Sequence, residues 1–212
     1  MPTLVELTVA DAPDAWREAG FTVDSDGQCV IGHVRVWLRP DDGARGVTSW
    51  ALDHAAEVDT IDGLPTGVPA QDPPTAWTHE NGSTLIDHVV VASPNLGRTQ
   101  SALEDAGFDT RRVRETESYG SAMQQIFFRA GEVIVELVGS PTPDPAHADR
   151  PAGFFGLAIN VSDLDATKAL LGDKLGDPKD AVQSGRRIAT LRNKELGITT
   201  AIAFMSEGEQ SS

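Results

Sequence analysis

The feature that most constrains this chain is an internal repeat whose elements follow the order strand, helix, strand, strand, strand. In the clearest copy, residues 85–92 alternate as a half-buried strand does, and Asn95 can cap a helix that runs to about Ala106 and stops at Gly107. Three strand-like runs complete this copy, at 108–115, 122–129 and 132–138. The repeat predicts an α+β fold built from βαβββ modules.

A shorter copy of the pattern occupies the N-terminus. It has a strand-like run at 4–9, a short helix, and two further strand-like runs at 28–32 and 33–38. The residues that follow, 53–84, are rich in proline and glycine and predict a linker. This first copy is therefore a degenerate module, and a partner is expected to cover the open edge of its sheet.

A third copy occupies the C-terminal part of the chain. It begins with a strand-like run at 154–161, and Ser162 followed by Asp165 predicts a capping box for the next helix. Its later strands are predicted at 187–192 and 198–205.

The three copies give a domain organisation that also includes a linker and a C-terminal tail. The predicted parts are a degenerate N-terminal module at 1–52, a linker at 53–84, a domain at 85–205 made of paired modules 85–139 and 154–205, and a disordered tail at 206–212.

Composition excludes several classes of partner. The chain has 32 acidic and 17 basic residues, a formal net charge of −15, which repels nucleic acid. No apolar run reaches the roughly 18 residues that span a bilayer, and no secretion signal is seen. The single cysteine, Cys29, excludes an internal disulfide and fits a reducing compartment. We predict a cytoplasmic protein without nucleotide cofactor, since no nucleotide-binding motif is present.

Four runs of this chain resemble the vicinal-oxygen-chelate superfamily, which includes glyoxalase I, extradiol dioxygenases, methylmalonyl-CoA epimerase and bleomycin-resistance proteins. The runs are IDHVVVASPNLGRTQSALEDAGF, QQIFFRAGEVIVELVG, FFGLAINVSDLDA and AVQSGRRIATLRN. The resemblance covers residues 79–205 and implies a glyoxalase-like fold, in which paired modules curl a mixed sheet around a cavity for a small molecule.

The resemblance also implies a divalent metal, Zn, Fe, Mn or Ni, held by side chains from the first and last strands of each module. His88 and Glu136 match those positions in the second copy and are candidate metal ligands and catalytic residues. The third copy has Gly156 and either Ile202 or Ala203 at the matching positions, and none of these binds a metal. If no metal is bound, His88 and Glu136 can act as a general acid/base pair.

Four other residues are candidates for contacting a substrate. Gln125 lies on the strand next to that of Glu136, and Arg186 follows a glycine in a segment that resembles the family. An arginine there can hold a carboxylate through its two-pronged guanidinium. Tyr119 and Arg114 flank a glycine-containing turn at the predicted cavity mouth.

Three functional hypotheses follow from these residues. The first is a glyoxalase-like lyase, isomerase or dioxygenase acting on a small oxygenated molecule. The second is a non-catalytic small-molecule binding protein of the sequestering, resistance type, and the third is a degenerate member kept for assembly. Because the first module lacks a partner in this interpretation, we also predict a homodimer.

Overall fold

The computed structural model of the chain describes residues 1–70, 74–118 and 120–208, which form one six-stranded and one eight-stranded sheet. The six-stranded sheet contains β1 (Thr3–Val9), β2 (Gln28–Ile31), β3 (Val34–Leu38), β4 (Val47–Asp53), β5 (Thr60–Ile61) and β6 (Leu64–Gly67). The eight-stranded sheet contains β7 (Ser83–Ala92), β8 (Thr110–Ser118), β9 (Ser121–Ala130), β10 (Val133–Gly139), β11 (Gly153–Val161), β12 (Lys179–Asp180), β13 (Arg187–Thr190) and β14 (Ala201–Ser206). The α-helices of the described residues are α1 (Pro13–Glu18), α2 (Leu96–Asp105) and α3 (Leu164–Leu171).

The eight-stranded sheet joins two βαβββ modules at its centre. Its strand order is β12-β13-β14-β11-β7-β10-β9-β8, with β7 and β11 antiparallel in the middle. Each of these central strands is also parallel to the last strand of its own module, β10 or β14. The result is a curled mixed sheet that forms a half-barrel, and the fold class predicted from the sequence is confirmed.

The six-stranded sheet repeats the same topology in reduced form. Its order, β2-β3-β1-β4-β6-β5, matches the order β9-β10-β7-β11-β14-β13 of the larger sheet, strand by strand and with the same pairing directions. Residues 47–67 thus supply a fourth, shortened unit without a helix, and the segment treated above as a linker contains β5 and β6. The homodimer was predicted because the edge of β1 was expected to be open, but β4 pairs with that edge. The homodimer therefore stays a prediction without this support.

Both longer helices begin at a capping side chain and bury one face. Asn95 caps α2 by accepting from the backbone N–H of Arg98 at 3.2 Å. The cap of α3 is Asp163 and not Ser162, so the predicted capping box is wrong by one residue. The Asp163 carboxylate accepts from two backbone N–H groups of the first turn, whereas the N–H of Ser162 still donates to the Gly82 carbonyl.

The two sheets share one hydrophobic core. Trp50 of the smaller sheet stacks on Phe108 and meets Phe154 of the larger one edge to face. The buried Asp11 carboxylate adds a polar link, because it accepts from the N–H and hydroxyl groups of both Thr199 and Thr200, in the loop before β14. No helix among the described residues is long and apolar enough to cross a membrane.

Candidate functional site

A β-bulge in β7 places two consecutive polar side chains together. His88 pairs with Ala158 and Ile86 pairs with Ile159, so Asp87 is the extra residue of β7 at this point. A β-bulge can place a side chain on the face opposite to the one that strict alternation would give it. The Asp87 Oδ2 atom consequently lies 2.8 Å from His88 Nδ1.

His88 and Glu136 meet on the concave face of the eight-stranded sheet. The Nε2 atom of His88 lies 3.2 Å from Glu136 Oε2, and the two side chains are only 15% and 11% exposed. The amide nitrogen of Gln125 donates to the other Glu136 oxygen at 2.6 Å. The opposite face of these strands is apolar, with Val89 and Leu137 completely buried.

Arg186 binds the carboxylate oxygen of Asp87 that does not contact His88. Its Nη1 atom donates to Asp87 Oδ1 at 2.8 Å and also to Gln183, while Nη2 donates to Asn160 and Nε donates to the Ser206 carbonyl at 2.8 Å. Four of the five N–H groups of this guanidinium therefore have partners within the protein. Arg186 positions Asp87, and it has little donor capacity left for a substrate carboxylate.

These contacts fix where the protons lie. Burial by itself raises the pKa of Asp87, but hydrogen bonds from His88 and Arg186, together with their charges, lower it to about 2. An ionised Asp87 requires a proton on His88 Nδ1. The contact between His88 Nε2 and Glu136 Oε2 needs one more proton, on either atom, because both otherwise present lone pairs. His88 Nε2 and Glu136 Oε2 are thus close enough for a proton to pass between them.

The remaining candidates from the sequence lie in different places. Arg114 is directly opposite Gln125 in the β8–β9 pair, so it shares the concave face with the network. Tyr119 lies outside the described residues. Sequence reasoning missed Asp87 and Asn160, because alternation assigned Asp87 to the opposite face and no sequence signal marked Asn160 as a partner of Arg186.

The divalent metal that the family resemblance implies would have His88 and Glu136 as its protein ligands. His88 Nε2 and Glu136 Oε2 converge, but a mononuclear catalytic site normally has three protein ligands. Among residues 1–70, 74–118 and 120–208, no group of three His, Cys, Asp or Glu side chains is arranged to hold a metal ion. At Gly156, a Cβ atom would overlap the Ala201 carbonyl, because β14 passes too close for any side chain. These residues therefore do not fit a three-ligand metal centre.

Comparison of the sequence with family models identifies the class of protein. Residues 87–190 match the model of the Glyoxalase/Bleomycin resistance protein/Dioxygenase superfamily. This match confirms the resemblance to that superfamily noted in the sequence. A comparison with curated proteins finds no significant match.

Solved structures with similar folds include a mutant of 4-hydroxymandelate synthase from Streptomyces coelicolor, at 16% identity and a TM-score of 0.58, covering 97% of this chain and 93% of that one. A variant of homoprotocatechuate 2,3-dioxygenase from B. fuscum matches at 13% identity and a TM-score of 0.57, covering 99% of this chain and 74% of that one. Methylmalonyl-CoA epimerase from Mycobacterium tuberculosis matches at 20% identity and a TM-score of 0.47, covering 61% and 91%. At these identities the first two matches support the fold.

Proposed function

We propose that this chain binds a small oxygenated organic molecule on the concave face of the eight-stranded sheet and that His88 and Glu136 transfer a proton to and from it. The observation that carries this proposal is the 3.2 Å contact between His88 Nε2 and Glu136 Oε2. A positioned acid and base of this kind contribute about 10²- to 10⁴-fold to a rate.

The chemistry that suits such a pair is proton abstraction next to a carbonyl group. Glu136 as carboxylate takes the proton from the carbon, the electron pair moves to the carbonyl, and the protonated His88 gives its Nε2 proton to the carbonyl oxygen. The product is a neutral enol, and the reverse steps return a proton to carbon. Reactions of the lyase or isomerase type follow from this step, and none of it passes through a metal.

Asp87 and Arg186 support this step as positioning residues. The ionised Asp87 keeps the proton on His88 Nδ1, so that Nε2 is the atom that exchanges a proton with substrate. Arg186 balances the charge of Asp87, and the four side chains together carry no net charge. A neutral buried network avoids the cost of burying an unpaired charge.

Deuterium exchange tests the proposal without knowledge of the natural substrate. The protein is incubated in D₂O with a panel of small ketones, aldehydes and 2-oxo acids, and loss of the exchangeable C–H resonance is followed by NMR. We expect catalysed exchange with at least one compound, a decrease of about 10²- to 10⁴-fold in Glu136→Gln, and no effect of prior dialysis against a chelator. Glu115→Gln, an exposed carboxylate of β8, is the matched control and should exchange as the wild type does.

The incomplete ligand set favours a second candidate, a binding protein without catalytic activity. In that case compounds of the panel bind, as shown by calorimetry, but none exchanges its C–H proton faster than in buffer. Exchange that disappears on chelation and returns with a divalent ion would show instead that a metal completes the site.

A further inference from the structure

Two arginines project from the edge strand β8 onto the same face as the candidate site. Arg114 lies directly opposite Gln125 of β9, and Arg112 lies opposite Phe127. Phe127 is in turn paired with Glu136 of β10. Residues directly opposite each other in antiparallel strands point to the same face, so both arginines share the concave face with Glu136. β8 lies two strands from β10, which corresponds to about 10 Å.

Apart from Arg111, which lies at a bulge and has no partner in β9, the charged residues of β8 are sorted by face. Glu115 and Glu117, in the second half of the strand, pair with Gln124 and Ala122 and therefore lie on the other face from the two arginines. Charge on an exposed edge strand protects it from pairing with other chains, and that protection does not depend on which face carries which sign. The sorting of the charges needs another explanation.

Among the residues that the structure describes, the two guanidiniums have no protein partners. Within the described ranges 1–70, 74–118 and 120–208, the side chains of Arg112 and Arg114 form no ion pair or hydrogen bond. This occurs in a chain with 32 acidic and 17 basic residues, where a nearby carboxylate is easily found. A third arginine of this face, Arg129, donates only to the Glu132 carbonyl, at 3.1 Å.

We infer that the molecule bound on the concave face is a small organic acid, whose anionic group Arg112 and Arg114 hold while its reacting carbon lies near Glu136. The half-buried Phe127 lies between the arginines and Glu136. Its ring offers an apolar surface to the part of the ligand that connects the anionic group to the reacting carbon. Guanidinium groups bind carboxylates through paired, charge-assisted hydrogen bonds. The position of the reacting carbon rests on the proposed function, whereas the position of the anionic group rests on β8 alone.

Matched pairs of ligands test this inference by binding alone. The probes are phenylacetate against 2-phenylethanol and lactate against 1,2-propanediol, titrated into protein labelled with ¹⁵N-arginine while the Nε–H resonances are followed. We expect at least one acid to bind more tightly than its alcohol, to shift the resonances of Arg112 and Arg114, and to weaken roughly 10- to 100-fold in an Arg112→Gln/Arg114→Gln variant. Arg45→Gln, an exposed loop arginine, is the control and should leave binding unchanged.

The outcomes separate this inference from the proposed function. Glu136→Gln should retain acid binding while losing exchange. A wild-type protein that binds acids through the two arginines but catalyses no exchange would contradict only the proposed function. If neither acid binds more tightly than its alcohol, or if the double variant binds both acids as well as the wild type does, the inference is wrong. An unchanged melting temperature of the double variant, expected for an exposed edge strand, shows that any loss of binding is not unfolding.

Discussion

The first strands of the two sheets, β1 and β7, both carry a bulge next to an ionisable residue. In β7 the bulge at Asp87 precedes His88, and in β1 the bulge at Val5 precedes Glu6. Glu6 forms a 2.6 Å ion pair with Arg35, whose side chain is 5% exposed. An arginine does not give up its proton in proteins, so this pair is a permanent ion pair, whereas His88 and Glu136 are the pair that we propose to transfer a proton.

The position that corresponds to Glu136 confirms the difference between the sheets. Val90 pairs with Glu136 in the larger sheet, and the matching pair in the smaller sheet is Thr8 with Trp37. An indole offers no acid or base, and this one has the Arg39 guanidinium 4.7 Å from its ring centre. The same backbone framework therefore carries a fixed ion pair in one sheet and the proposed proton-transfer pair in the other.

The largest effect is expected from breaking the ion pair of the smaller sheet. Arg35→Met removes one partner and leaves the Glu6 carboxylate buried, which should lower the free energy of unfolding by about 3–5 kcal/mol. Urea unfolding measures the loss. Exchange activity per folded molecule should not change, because Arg35 and Glu136 lie in different sheets.

A double variant separates lost charge pairing from lost packing. Glu6→Gln/Arg35→Met leaves no unpaired charge, so it should recover part of the stability that Arg35→Met loses. A double variant as unstable as the single one would show that the packing of the arginine side chain, and not the ion pair, stabilises this sheet.

A smaller effect is expected in acid from the network of the larger sheet. The pKa of Asp87 is lowered from 3.8 to about 2 in the folded chain, so its stabilisation is present above pH 3.8 and is lost as the pH falls through 2. The amount is about 2 kcal/mol. Unfolding measured on both sides of this window should show the loss in the wild type and not in Asp87→Asn. An equal loss in both would assign the acid sensitivity to other carboxyl groups.

The smallest effect concerns His79, which joins the chain before β7 to the smaller sheet. Its Nδ1 atom accepts from the Thr22 N–H at 3.0 Å, and its Nε2–H donates to the Val30 carbonyl at 2.8 Å. The bond from Thr22 requires the neutral ring, and burial lowers the pKa of His79 below 6.5, against a smaller opposing effect of the Val30 bond. Its stabilisation is therefore complete above pH 6.5 and declines as the pH falls below that value.

Glutamine at position 79 can donate and accept in similar directions without titrating. His79→Gln should therefore keep most of the stability at neutral pH and lose less of it than the wild type between pH 7 and pH 5. Thermal melts across this range provide the measurement. A variant with the same pH dependence as the wild type would show that His79 does not cause it.

Local patterns in the sequence predicted the larger sheet well. Alternating residues at 85–92 and the cap at Asn95 are short-range signals, and the structure contains β7 and α2 where they lie. The shortened unit at 47–67 escaped detection because it has no helix, and β5 and β6 are too short to show alternation.

The candidate site was predictable only in part. His88 and Glu136 were found because their strands match a known pattern, and they do contact each other. The role of Asp87 depends on a bulge, which the spacing of residues does not reveal. The partnership of Asp87 with Arg186 joins residues 99 positions apart, and only the folded sheet brings them together.

The close approach of β14 to Gly156 has an evolutionary consequence. A histidine at this position would supply the missing third ligand, yet its Cβ atom has no room beside the Ala201 carbonyl. No single substitution at residue 156 can therefore turn this site into a complete metal centre, since the backbone of β14 would have to shift first. Descendants of this chain are therefore restricted to glycine at residue 156 until changes elsewhere in the module move β14 aside.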